Sequence, residues 1–133
     1  MARFKAAFGM LVAAQAAHSV EECVGRLWES FPPARFVAGL ISDERAWNFI
    51  AGNAALVAFG IWCYLWPVRR GWASGWYLGW AWMSLEAING IVHSVWTLHQ
   101  GHYTPGVATA PALLGLAIYL AFQLGSVRPT VAE

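Results

Sequence analysis

Charge is scarce in this chain. Only 11% of its 133 residues are Asp, Glu, Lys or Arg, where a soluble domain carries about 25%. The shortfall excludes an ordinary water-facing surface. The charges nearly cancel, at +1 overall, and no basic cluster occurs. Nucleic-acid binding, which needs a concentrated basic face, is excluded with it. Cysteine is scarce too. Cys23 and Cys63 show no repeated spacing of the kind that holds zinc. They read as small apolar residues of helices, too far apart across the membrane for a disulfide.

What the sequence has instead is apolar and aromatic: 59% of its residues are hydrophobic, and nine are Trp. Four apolar stretches stand out, at about 4–28, 46–66, 72–98 and 107–125. Each has about 19–27 residues, enough for a hydrocarbon layer of about 30 Å. The expected fold is all-α, an integral membrane four-helix bundle forming a single domain over 1–133. Pro32-Pro33 must break the first helix, and Ser42 or Asp43 reads as the N-cap of the second. Trp66-Pro67 with Arg69-Arg70-Gly71 makes the second turn, and Gly101 with Thr104-Pro105-Gly106 the third.

Lys and Arg set the orientation. Four spans put Arg3, Lys5, Arg69, Arg70 and Arg128 on one side, against Arg26, Arg35 and Arg45 on the other. The richer side is cytoplasmic. A multi-pass protein of the inner (plasma) membrane with both termini in the cytoplasm is expected. Trp28, Trp47, Trp66, Trp72 and Trp96 fall near helix ends, as an aromatic belt does. Trp72, Trp76 and Trp80 repeat at four-residue steps beside a stripe of Gly71, Gly75 and Gly79. The stripe suits close helix packing; the Trp row suits an aromatic wall around an apolar or cationic ligand. Arg3, Lys5, an apolar run and Ala14-Gln15-Ala16 resemble a secretory signal with its cleavage site. The polar residues just after it read better as part of a retained helix.

Those polar residues are the informative ones. The first stretch holds His18, Glu21 and Glu22, and the third holds Glu86, Asn89 and His93. Each ionisable group near the centre of a span costs about 2.5–3.5 kcal/mol on insertion scales, so five in two helices need a reason. At about 100° per residue each set falls on one stripe. Counted along helices that run in the same direction, Glu21 and Glu86 also reach similar heights, with Asn53 of the second helix near that level. The economical arrangement points these groups at one another inside the bundle.

Imidazole with carboxylate is a ligand set for zinc, iron or manganese. The expected metal ligands are His18, Glu21, Glu22, Glu86 and His93, with Asn89 and Asn53 hydrogen-bonded around them. Glu21 and Glu86 are the expected acid–base groups. His18 and Glu21 have the i, i+3 spacing of carboxylate-bridged di-metal bundles in reversed order, and only once. Other readings stay open. The same groups suit metal-free acid–base chemistry on an isoprenoid-like lipid. They also suit plain hydrogen-bonded glue between helices, a small transporter or a complex subunit. Glu22 with Arg26 reads as a surface ion pair. His99 and His102 read as loop residues, His102 placed to cap the site from above. Gln15 and Asn48 read as packing or interfacial polar groups. The expected partners are the lipid bilayer and a lipid-soluble small molecule.

His18-Ser19-Val20-Glu21-Glu22, in the first span of a small four-helix membrane protein, resembles the HxxEE domain family of bacteria. Glu86, Asn89 and His93 continue the likeness, and so does Tyr103-Thr104-Pro105-Gly106 before the last span. It covers about Phe8 to Phe122. The family's function is unknown, so the resemblance implies one shared polar site and no particular reaction.

Overall fold

The first helix, α1 (Ala2–Val24), buries one stripe along its length. Phe4, Phe8 and Leu11 begin it; Gln15, His18 and Glu22 continue it in the same phase. The computed structural model describes residues 1–127. After α1 come two short helices, α2 (Leu27–Ser30) and α3 (Pro32–Ala38), then α4 (Arg45–Cys63), α5 (Ala73–Gln100) and α6 (Ala110–Gly125). A π-helical turn, Tyr64–Val68, prolongs α4. The fold is all-helical, with no strand among the described residues. Arg128, counted above for orientation, lies outside them.

Contacts fix the directions of the helices. A Cβ on Gly79 near the start of α5 would meet Phe4 at the start of α1 and Leu124 at the end of α6. One on Gly60 near the end of α4 would meet Val12 of α1 and Trp82 of α5. Hence α1 and α5 run one way, and α4 and α6 return. Phe8, Leu11, Leu113, Leu120 and Leu124 are fully buried between α1, α5 and α6. Glycine is the means of approach along α5: Gly75 faces Pro67 O and Gly90 faces Ala110 O. Gly71 does not continue that stripe. Its φ of +73° makes it the turn residue after the π turn, where only Met1 is near.

Several boundaries differ from the sequence expectation. The first helix ends at Val24, not near Trp28, because the chain turns through Arg26 at φ 53°. Gly25 there packs so tightly on Pro105 that a Cβ would stand 2.5 Å from the ring. That loop contact, rather than Pro32-Pro33, breaks the helix. Pro32 instead occupies the start of α3, where its missing N–H goes unmissed. The N-cap of α4 is Glu44, not Ser42 or Asp43. Ser42 Oγ instead accepts the Glu44 N–H at 3.3 Å. The second helix passes through Pro67, because a π turn absorbs the missing donor. The last helix starts at Ala110, so residues 101–109 form a strap across one end of the bundle.

By length and composition one helix, Arg45–Val68, is long and apolar enough to cross a membrane, and Ala110–Gly125 is a shorter apolar helix. The polar residues carried by α1 and α5 lower their own mean hydropathy.

Candidate metal centre

The site sits where α1 and α5 end, beneath the strap. On α1, His18 and Glu22 are one helical turn apart on the buried stripe. On α5, His93 extends the buried row of Gly79, Trp82, Glu86 and Gly90. The rows meet. Glu22 Oε1 lies 3.2 Å from His18 Nε2 and 3.0 Å from His93 Nε2. The two imidazoles stand edge to face with centroids 4.7 Å apart. One ligand atom from each of His18, Glu22 and His93 lies within 4.8 Å of the others. The three residues are 0%, 7% and 3% exposed.

A second layer fixes the ring of His18. Glu21 points off the buried stripe, away from the trio. Its carboxylate accepts from Tyr103 Oη (2.8 Å), Ala108 N–H (3.0 Å), Thr109 N–H (3.0 Å) and Thr109 Oγ1 (2.6 Å). Those bonds fill the four acceptor positions of an ionised carboxylate. Thr109 has one hydroxyl proton, and Glu21 is its nearer acceptor; Gly106 O is 3.3 Å away. The 2.6 Å contact of Thr109 Oγ1 with His18 Nδ1 must then be donated by the imidazole. In a neutral ring that leaves a lone pair on Nε2, the atom that faces Glu22. This Nε2 is buried and makes no hydrogen bond of acceptable geometry. A lone pair opposite a carboxylate oxygen at 3.2 Å asks for a proton or a cation between them.

The spacing suits a cation. Ligands bound tetrahedrally at about 2.0–2.1 Å stand about 3.3 Å apart, close to the 3.0 and 3.2 Å found here. Two His and one carboxylate also form the donor set of catalytic zinc sites and of non-haem iron sites, both of which keep positions open.

The other sequence candidates lie around this trio. Glu86 is fully buried and belongs to a neighbouring pair. In the amide orientation that satisfies both neighbours, Gln15 Nε2 donates to Glu86 Oε2 at 2.7 Å, and Gln15 Oε1 accepts from Ser19 Oγ at 3.1 Å. Asn89 stands half-buried beside Glu86. Asn53 donates to Phe49 O within its own helix, at 3.3 Å. Asn48 ties α3 to α4 by donating to Ala38 O and Ser42 O. Arg26 pairs with Glu29 at 2.7 Å, not with Glu22, because the helix breaks between Glu22 and Arg26. His102 does not cap the site: it is exposed and bonds Tyr103 O. Cys23 and Cys63 are both free thiols.

Sequence reasoning missed Thr109, met Tyr103 only as part of a family pattern, and met Gly106 there and as a turn residue, not as a neighbour of the centre. The strap they form lies directly on the centre. Gly106, at φ +96°, packs so closely on His93 and His18 that a side chain there would overlap both rings. Tyr103, outside the helices, has its phenol pushed up by the bond to the Glu21 carboxylate. Thr97 and Thr104 join their hydroxyls under the strap.

A cavity of about 900 Å³ opens beside the centre between α3, α4 and α5. Glu22 and His93 stand in its wall, with Gln15, Asn53 and Asn89. Asn48 lines it too, and the rest is apolar, with Phe31 and Phe49 as its aromatics. Trp72, Trp76 and Trp80 form no wall here. Trp76 turns away to donate to Leu124 O and Val127 O.

No curated protein and no solved structure gives a significant match to the chain. The trio, with Glu21 beneath the strap, accounts for each fixed position of a His-x-x-Glu-Glu motif. A family model described as a protein of unknown function with an HXXEE motif matches residues 9–120, and the chain belongs to that family.

Proposed function

We propose that this protein is a multi-pass membrane protein whose His18–Glu22–His93 centre binds a divalent transition metal and acts on a lipid-soluble substrate. The lone pair of His18 Nε2 facing Glu22 carries the metal reading. Zinc, iron and manganese all suit the donor set. Bound there, the ion supplies Lewis-acid polarisation or an activated water to a group arriving from the cavity. His18 is held in tautomer by Thr109, Glu22 supplies the negative charge, and His93 closes the set from α5. Glu86, tied to Gln15, is a further buried acid–base group.

The membrane reading rests on surface chemistry. The most apolar window of Arg45–Val68 has mean hydropathy 1.6, yet only 11% of it is buried. A core helix of a water-soluble protein has that composition and the opposite burial. Ile61, Trp62, Ile88, Val95, Ile118 and Phe122 are likewise exposed on α4, α5 and α6. An apolar surface of this kind fits lipid. We read α1, α4, α5 and α6 as the four spans of a bundle in the inner (plasma) membrane, with both termini cytoplasmic by the Lys and Arg balance.

Elemental analysis of detergent-purified protein tests the centre. The expected result is near-stoichiometric metal that is lost in His18→Ala and His93→Ala. A folded preparation that neither carries nor takes up metal overturns it and leaves the metal-free acid–base reading, in which Glu22 and His18 share a proton. Reporter fusions at the C-terminus test the topology; an extracytoplasmic signal would reverse it.

A further inference from the structure

The geometry points to a substrate class and a route: an uncharged, single-chain amphiphile with a hydroxyl or carbonyl head, entering sideways from the bilayer between α4 and α5. This rests on the reading of the His18–Glu22–His93 centre as the reacting site.

The route follows from which side is shut. On the water side the strap seals the centre. Gly106 lies against both imidazoles, and Tyr103, Ala108 and Thr109 are fastened to Glu21. Over the cavity, α3 is fastened to α4 through Asn48. The opposite flank is open. The helices α4 and α5 meet low down, where Gly60 touches Trp82 and Gly75 touches Pro67 O. Above that level they stand apart. Gly52 and Leu56 line one side of the cleft, Leu85 and Ile88 the other. Leu85 and Ile88 are 43% and 61% exposed, so the cleft communicates with whatever surrounds the bundle.

The class follows from the lining. The cavity is polar where Gln15, Glu22, Asn53, Asn89 and His93 line it, and apolar to either side, with Pro33, Val37 and Ile41 of the α3 region above and Leu56 and Leu85 below. The part between α4 and α5 is bordered by Gly52, Leu56, Leu85 and Ile88, so an amphiphile with its head at the polar groups would lay its chain there, towards the midplane. The volume suits a small-molecule site, which spans about 300–1,000 Å³. No Lys or Arg lines it, so apart from the proposed metal ion a phosphate head would find no partner of opposite charge. Gln15, Asn53 and Asn89 are amides that both donate and accept. A hydroxyl or carbonyl is what they can satisfy.

Full-length protein in phosphatidylcholine nanodiscs is irradiated with a diazirine-bearing hexadecanol, and the labelled residues are mapped by mass spectrometry. Labelling is expected on α4 and α5 around Leu56 and Ile88. Excess hexadecanol should suppress it, and hexadecyl phosphate should do so about tenfold less well. Gly52→Trp sets a ring in the cleft from a position where a Cβ meets nothing within 4 Å. It should cut labelling about tenfold while metal content stays unchanged. Gly115→Trp on α6, equally unhindered, should leave labelling intact. Label spread evenly over the lipid-facing surface, equal competition by the phosphate, or a second copy of the chain cross-linked into the cleft would each overturn the proposal. Cleft labelling in a protein that takes up no metal would overturn the reading of the centre and leave the amphiphile site standing.

Discussion

Thr109 Oγ1 lies 2.6 Å from His18 Nδ1 across 91 residues of sequence. The same hydroxyl donates to Glu21, three residues after His18. Groups that orient a metal-bound imidazole this way typically account for about 10–100-fold in metal affinity. Thr109→Val keeps the shape and removes the hydroxyl. It should weaken zinc binding within that range, while Thr109→Ser should restore most of it. Competition against a chromophoric chelator measures both. Equal affinity for Val and wild type would separate the Thr109 contact from the metal centre.

Glu21 and Glu22 are neighbours with opposite duties. Glu22 faces His18 and His93, whereas Glu21 anchors the strap. Glu22→Ala should therefore abolish stoichiometric metal. Glu21→Ala should keep the site at saturating metal and lower its affinity. It should also speed amide exchange at Ala108 and Thr109, whose N–H groups lose their acceptor. Hydrogen-exchange mass spectrometry with metal titration reads both effects. Loss of all metal in Glu21→Ala with an unchanged strap would make Glu21 a ligand after all.

The buried Gln15–Glu86 pair gives a stability prediction independent of metal. Gln15→Leu takes the Gln15 amide from a fully buried carboxyl and leaves it Asn89 alone, at a cost of about 1–3 kcal/mol. Adding Glu86→Met removes the under-satisfied carboxyl, and the double variant should recover much of that loss. Thermal unfolding in one detergent compares them. A Gln15→Leu variant as stable as wild type would mean that the two side chains do not depend on each other.

The sequence makes the stripes legible and the strap illegible. His18 and Glu22, and Glu86 and His93, can be placed on common helix faces because 3.6-residue periodicity is a local property. Facing carboxylate and imidazole across the bundle follows from the cost of leaving them in an apolar medium. Glu21 defeats that logic. It is one residue from Glu22 and close to its height, yet one step around a helix is about 100°, enough to turn it out of the trio. Its partners sit 82–88 residues away, and nothing in Ala108-Thr109 marks them as an anchor. The break after Val24 was hidden for the same reason: Gly25 is a glycine because of Pro105, which only the folded chain brings to it.

Gly106 is where the strap is most exacting. Its φ is +96°, a backbone region that residues with a Cβ rarely adopt, and the space a side chain needs is held by His18 and His93. Forcing a residue into such a conformation costs about 1–3 kcal/mol, and here the overlap must also push one imidazole out of line. Gly106→Ala should lower the unfolding midpoint and weaken metal binding together. Gly101 supplies the control. It too has positive φ, +70°, but nothing lies within 4 Å of its Cβ. Gly101→Ala should carry the backbone cost alone and bind metal as wild type does. If both variants lose stability equally and neither loses metal affinity, the strap does not press on the two imidazoles, and the seal over the centre is not where Gly106 places it.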